Sequence, residues 1–206
     1  MTLPILIVFG DKTANEVLET AQLASGKCFS RIEKVYFEPQ SFSSEILPAL
    51  QASDGEIYYT IGVANVAVKQ AIRDRCAALD WKPFSVVHPT AVVAPSARLG
   101  QGAFIGPLAV ISSNAMIGDH SIIHIHASVG HDVVIGEFCA VLPGARISGL
   151  AQLEDRVLIG SNAFVAAGVR LQHDSQVDAL TYVRQELAAG HIASVRSKRP
   201  VKRPGF

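Results

Sequence analysis

Over residues 87–188 an aliphatic side chain returns every six positions, without a single insertion. The seventeen hexads run from VHPTAV, VAPSAR and LGQGAF to VDALTY and VRQELA, and each opens with Val, Leu or Ile. The fifth position is mostly small, as at Ala91, Ala109, Ala127, Ala145 and Ala163. Glycine fills the second position at Gly100, Gly106, Gly118, Gly130, Gly136 and Gly160. A period of six matches neither a helix, with a period of about 3.6, nor an alternating strand, with a period of about 2. It matches one flat side of a triangular coil. The leading aliphatic and the small fifth residue point inward, and each aliphatic stacks on the one three hexads later. Glycine or asparagine is expected where the corner turns or the backbone takes unusual dihedrals. Coils rise by one strand spacing, ~4.8 Å, and bury their apolar faces only against neighbouring coils. The pattern predicts a parallel β-helix of hexapeptide type with nearly six coils. Prisms of this kind are usually left-handed, an exception to the right-handed crossover rule.

The first 84 residues read differently, as alternating strand and helix. Residues 4–9 (PILIVF) predict a buried strand and 10–13 a turn. Residues 15–25 predict a helix with Val17, Leu18 and Ala21 on one face, stopped by Gly26. Residues 31–38 and 56–61 predict two more strands, and 43–50 a short helix that contains Pro48. Asn65 is placed to cap a helix through residue 79, with Val68, Ile72, Cys76 and Leu79 in one stripe. The expected organisation is therefore a small Rossmann-like α/β domain over 1–84, the β-helix over 85–188 and a basic tail over 189–206. Parallel sheets bind ligands at the carboxyl ends of their strands. That rule gathers Gly10, Asp11, Lys12, Glu38, Gly62 and Asn65 around one crevice, unless the sheet serves stability or assembly alone.

Composition narrows the class. Half of the residues are hydrophobic (49%), yet Lys+Arg and Asp+Glu number 18 each, so the net charge is zero. That balance argues against a nucleic-acid partner. The mean hydropathy of +0.30 invites a membrane reading, but no apolar run approaches the ~20 residues of a membrane span. No basic stretch precedes a long apolar run at the N-terminus, so a secretory signal is not expected. Cys28, Cys76 and Cys139 are too few and scattered for a disulfide frame and fit a reducing cytoplasm. Cys139 falls at an interior hexad position. Phe104, Phe164 and Tyr182 fall at sixth positions and read as packing or interface residues.

Four of the seven histidines lie between His120 and His131. Folded onto hexads they separate: His124 and His126 on one side, His131 on the next. His131-Asp132 is the sharpest local feature, because a carboxylate beside a neutral imidazole fixes its tautomer and raises its basicity. Read alone, such a pair is more often a surface histidine in a turn.

The segments VFGDK (8–12), YTIGVAN (59–65), VVHPTAVVAPSARLGQGAFIGPLAVI (86–111) and ASVGHDVVIGEFCAVLPGARISG (127–149) carry a family resemblance. Over its whole length the chain resembles bacterial sugar O- and N-acyltransferases that pair a nucleotide-sugar-binding α/β domain with a left-handed β-helix. These include the UDP-4-amino-sugar N-acetyltransferases and the sialic acid O-acetyltransferase-like proteins. The resemblance implies acetyl-CoA, or another acyl-CoA, as co-substrate and a nucleotide-linked amino sugar as acceptor, in cytoplasmic surface-glycan synthesis without a metal. It implies His131 as general base with Asp132 as its acidic neighbour. Backbone amides at Gly149 and Ser161 would hold the cofactor or polarise its carbonyl, and Lys198 and Arg199 of the basic tail would grip its phosphates. It also implies a homotrimer with sites between subunits.

Several positions depart from the family pattern. The N-terminal loop reads Gly10-Asp11-Lys12-Thr13-Ala14-Asn15, with fewer glycines and an acid where a phosphate is expected. His124 stands where an asparagine is usual, Ala140 where a second histidine is usual, and VDALTY replaces a glycine-rich hexad. Two other readings follow. One is a non-catalytic trimeric scaffold. The other is a zinc enzyme like the gamma-class carbonic anhydrases, using the five-residue spacing of His126 and His131.

Overall fold

A computed structural model describes residues 3–37, 56–197 and 199–203. The chain divides into two compact units, Met1–Val86 and Val87–Phe206.

The first unit is a four-stranded parallel sheet flanked by helices. Its elements are β1 (Ile5–Phe9), α1 (Thr13–Ser25), β2 (Arg31–Val35), β3 (Ile57–Ile61), α2 (Val66–Ala77) and β4 (Lys82–Pro83). The strand order is β2-β1-β3-β4. β1 is central, and all five of its residues are buried, as an unbroken ILIVF run in a parallel sheet requires. Phe9, Tyr59, Ile72, Cys76 and Trp81 complete the core. α1 starts two residues earlier than the pattern predicts. The carbonyls of Asp11 and Lys12 accept from the N–H groups of Ala14 and Asn15, so the turn rolls directly into the helix. At α2 the Asn65 side chain accepts from the Val68 N–H at 3.1 Å, the expected cap. The helix expected at 43–50 lies outside the described residues.

The second unit is the hexad prism. Each hexad supplies a two-residue strand from its predecessor's sixth position and its own first, and three faces result. Face one stacks Phe104–Ile105, Ile122–Ile123, Ala140–Val141, Leu158–Ile159 and Gln176–Val177. Face two stacks Val92–Val93, Val110–Ile111, Ser128–Val129, Arg146–Ile147, Phe164–Val165 and Tyr182–Val183. Face three stacks Arg98–Leu99, Met116–Ile117, Val134–Ile135, Gln152–Leu153 and Arg170–Leu171. The leading aliphatics and fifth-position alanines form one continuous core from Ala103 to Ala193. Each fully buried Ile, Leu or Val contributes about 1.5–3 kcal/mol over its exposed state.

One expectation changes. The second-position glycines do not supply unusual dihedrals; they make room. A Cβ on Gly136 would meet the Asp155 nitrogen at 2.8 Å, and one on Gly130 the Gly149 nitrogen at 2.6 Å. Left-handed backbone lies instead at the fourth position, where Leu108, Asn114, His120, His126, Asp132, Phe138, Leu150, Arg156, Asn162, Asp174 and Leu180 all take φ between 54° and 64°. Two segments of the basic stretch pair with the prism. His191–Ala193 adds in parallel to face one, and Val201–Lys202 returns antiparallel along it. Arg203 is turned inward, its Nη1 donating to the Asp174 carbonyl at 2.8 Å.

Candidate active site

His131 and Asp132 occupy the third and fourth positions of their hexad, at the corner between faces two and three. The left-handed turn at Asp132 (φ 57°) folds its carboxylate back beside the preceding ring. The His131 Nδ1–H donates to Asp132 Oδ2 at 2.8 Å. An ionised carboxylate only accepts, so this bond places the imidazole proton on Nδ1 and leaves the Nε2 lone pair outward. Asp132 Oδ1 is held as well, by the Asn114 Nδ2 amide at 3.0 Å. Asn114 sits at the same corner one coil earlier, and its N–H donates to Ser96 Oγ another coil back at 3.1 Å. Ser96, Asn114, Asp132 and His131 thus form one polar ladder down the corner. The neighbouring His131 ring, and then the Asn114 amide, hold the Asp132 carboxyl below the ordinary carboxylate range.

One coil onward at the same corner lies Gly149. A Cβ there would stand 2.5 Å from His131 Nε2 and 2.7 Å from Cε1. Any side chain at 149 would displace the ring, so the glycine is the seat that lets the imidazole lean over the next coil. The Gly149 carbonyl accepts from the Gly168 N–H, and its own N–H is engaged by no other described residue.

The other expected site residues scatter. Three hexads separate residues on one corner, so Ala167, not Ser161, follows Gly149. Ser161 lies at the corner between faces one and two, where its carbonyl accepts from the Leu180 N–H. His124 is buried on face one, its ring edge-on to Phe104 with centroids 6.3 Å apart. Ala140 is buried on the same face. Arg199 lines a groove of about 270 Å³ at the last coil with Tyr182, Arg184, Ser194 and Ser197. Lys198 and Glu38 lie outside the described residues. Among the described residues no three His, Cys, Asp or Glu side chains group as metal ligands, so the His126–His131 spacing finds no third ligand.

In the α/β unit, Gly10 and Gly62 serve packing. A Cβ on Gly62 would meet Ala14 Cα at 2.7 Å, and one on Gly10 (φ 141°) the Gly62 oxygen at 2.8 Å. Their N–H groups donate to Val35 and Phe9 carbonyls, so neither offers an amide to a phosphate. Asp11 and Lys12 are exposed at the start of α1, and Asn65 Oδ1 is engaged by the α2 cap.

The hexads hold a second His-Asp pair, since LQHDSQ repeats the third- and fourth-position placement of VGHDVV. His173 Nδ1 and Asp174 Oδ2 are 2.8 Å apart. This pair sits at the corner between faces three and one, and Arg156 also holds Asp174 through two 2.8 Å bonds. The Arg156 guanidinium, chiefly, holds the Asp174 carboxyl below its usual range. A carboxylate already neutralised by arginine stabilises an imidazolium less than one held by a neutral amide. The two pairs thus differ in what holds the carboxylate, a neutral amide at Asp132 and a guanidinium at Asp174.

No family model matches the chain. It is 33% identical over 112 residues to the GDP-perosamine N-acetyltransferase of Escherichia coli O157:H7, which covers 54% of this chain and 51% of that protein. A UDP-3-O-acylglucosamine N-acyltransferase of Methylorubrum extorquens is 31% identical over 74 residues, 36% of this chain and 21% of that one. The chain thus spans about half or less of the curated relatives it matches. Among solved structures, the Caulobacter crescentus PerB in complex with CoA and GDP-perosamine superposes with a TM-score of 0.84 at 24% identity, over 96% of this chain and 97% of that one. The acetyltransferase domain of Neisseria gonorrhoeae PglB, in complex with acetyl coenzyme A, gives 0.82 at 24% identity over 96% and 98%. The fold is that of these two structures, a small parallel sheet followed by a left-handed hexapeptide β-helix.

Proposed function

We propose that this chain, with the fold of the perosamine-type acetyltransferases, transfers an acetyl group from acetyl-CoA to the amine of a nucleotide-linked amino sugar in cytoplasmic surface-glycan synthesis. The observation that carries the reading is the His131 geometry. A neutral imidazole has its Nδ1 proton committed to Asp132 and its Nε2 lone pair over Gly149, beside an amide no other described residue uses. His131 Nε2 takes a proton from the acceptor amine as its nitrogen bonds to the thioester carbonyl carbon. The Gly149 N–H faces the oxygen on which charge develops. As the carbon–sulfur bond breaks, His131 returns the proton to the departing thiolate, so no covalent enzyme intermediate is needed.

The donor extends from Gly149 toward the last coil, where Tyr182, Arg184 and Arg199 line a groove suited to an adenine ring and phosphates. The chain works as a homotrimer with the His131 corner between neighbouring prisms. The test is thiol release from acetyl-CoA across a panel of UDP- and GDP-linked amino sugars. His131→Ala should lower kcat by roughly 10²- to 10⁴-fold, while His173→Ala keeps wild-type turnover. Full activity of His131→Ala sinks the mechanism.

A further inference from the structure

We infer that Arg146 is the residue that takes the anionic end of the acceptor, making the outward row of face two beside His131 a recognition strip for a sugar that carries phosphate. The inference rests on the reading of the site as a transferase for nucleotide-linked sugars.

Arg146 opens the strand Arg146–Ile147 with its side chain on the outer surface, exposed. It forms no hydrogen bond or ion pair with any described residue. Arg156 and Arg170, by contrast, hold Asp174 and Glu154, and Arg203 holds a carbonyl. Arg146 also stands in the coil toward which the base leans. Gly149, beneath His131 Nε2, follows it by three residues, a separation of at most ~10 Å. A hexose places one ring between an amino substituent and its anomeric phosphate, and the long arginine side chain covers that span. The guanidinium fork fits two phosphate oxygens, which an ammonium does not.

Its neighbours suit the same ligand. Ser128 pairs with Arg146 on one side and Phe164 on the other. They supply a hydroxyl for a sugar oxygen and a part-exposed aromatic face for sugar C–H groups. The other unengaged arginine on an outward row, Arg98, lies two strands before Val134 on face three, behind the base rather than in front of it. The donor's phosphates have their own cations at Arg184 and Arg199, further along the prism.

Arg146→Ala should raise KM for the nucleotide-linked amino sugar roughly 10- to 100-fold and leave KM for acetyl-CoA within about two-fold. Arg146→Lys should recover part of the loss. The decisive readout compares the nucleotide-linked sugar with the free amino sugar. Wild type prefers the former, and the preference collapses in Arg146→Ala because the lost contact is to phosphate. An unchanged preference overturns the inference. So does a raised KM for acetyl-CoA in its place, or a loss of oligomer by size-exclusion chromatography with light scattering. Titration with GDP and UDP in the absence of acetyl-CoA reads the same contact without turnover. Weaker binding by the variant supports Arg146 even if no sugar in the panel is acetylated, in which case the transferase reading is what fails. No binding by wild type overturns the inference.

Discussion

The Asp132 carboxylate has both oxygens committed, one to the ring it serves and one to Asn114. That second bond makes Asn114 a positioning residue, and the prism itself supplies a clean way to remove it. Leu108, Leu150 and Leu180 take the same left-handed backbone at the same hexad position, so Asn114→Leu keeps the fold while deleting the donor. The expected loss in kcat is roughly 10-fold, the scale of one hydrogen bond to a charged group. Two readouts separate positioning from a general structural effect. Nitrogen NMR should find the His131 proton on Nδ1 in wild type and shared between both nitrogens in the variant. The Asp132 carboxyl, freed from one of the donors that lower its pKa, should titrate closer to its ordinary 3.8 in the variant. An unchanged tautomer and an unchanged Asp132 titration would remove Asn114 from the site. The His-Asp pair was legible in the sequence because its two members are adjacent. Ser96, Asn114 and Gly149 join it from other coils, and only the length of a coil, 18 residues, reveals that they share its corner.

At the scale of the element, the hexad register foretold strands, core and face assignment, since an inward aliphatic every sixth residue leaves little freedom to the backbone. It misjudged the glycines. Two different demands exist in each hexad, space at the second position and left-handed backbone at the fourth, and composition alone merges them. Their consequences differ. Gly136→Ala should destabilise the chain by about 1–3 kcal/mol, because the new methyl meets backbone of the next coil that cannot yield. Gly168 takes φ 69° with open space around its Cβ position, and Asn114 and Asn162 already tolerate that geometry. Gly168→Asn should therefore stay within about 1 kcal/mol of wild type. Urea unfolding followed by circular dichroism compares the two, and equal costs would contradict the division of roles. The end of the chain shows a related limit of composition. Its charges mark a basic tail, whereas the apolar Ile192 and Val201 among them pair as strands and Arg203 donates to the Asp174 carbonyl.

For the whole molecule, the low charge count acquires a structural meaning. Outward positions on faces two and three carry Val92, Val110, Met116, Val134, Phe164 and Tyr182, all of them exposed, and these two faces meet at the His131 corner. Scattered apolar residues on a surface need no explanation, but the exposed pairs Val92–Val110 on face two and Met116–Val134 on face three, set on both sides of the His131 corner, mark an interaction surface. With equal numbers of positive and negative side chains, no net repulsion keeps copies of the chain apart. A threefold arrangement would pair each such corner with the face of a neighbour and close on itself, covering those apolar pairs while leaving Ser128, Arg146 and Phe164 open to the acceptor. Light scattering should then return a mass near three times 21.9 kDa. Val110→Glu with Val134→Glu should give monomers, since each places an uncompensated charge in the contact. Neither residue belongs to the polar ladder, and both point away from the prism core, so the monomer should keep its strand signal in circular dichroism while its turnover falls with assembly. A wild-type chain that is monomeric and fully active would show that the corner works alone and that these apolar pairs serve some other contact.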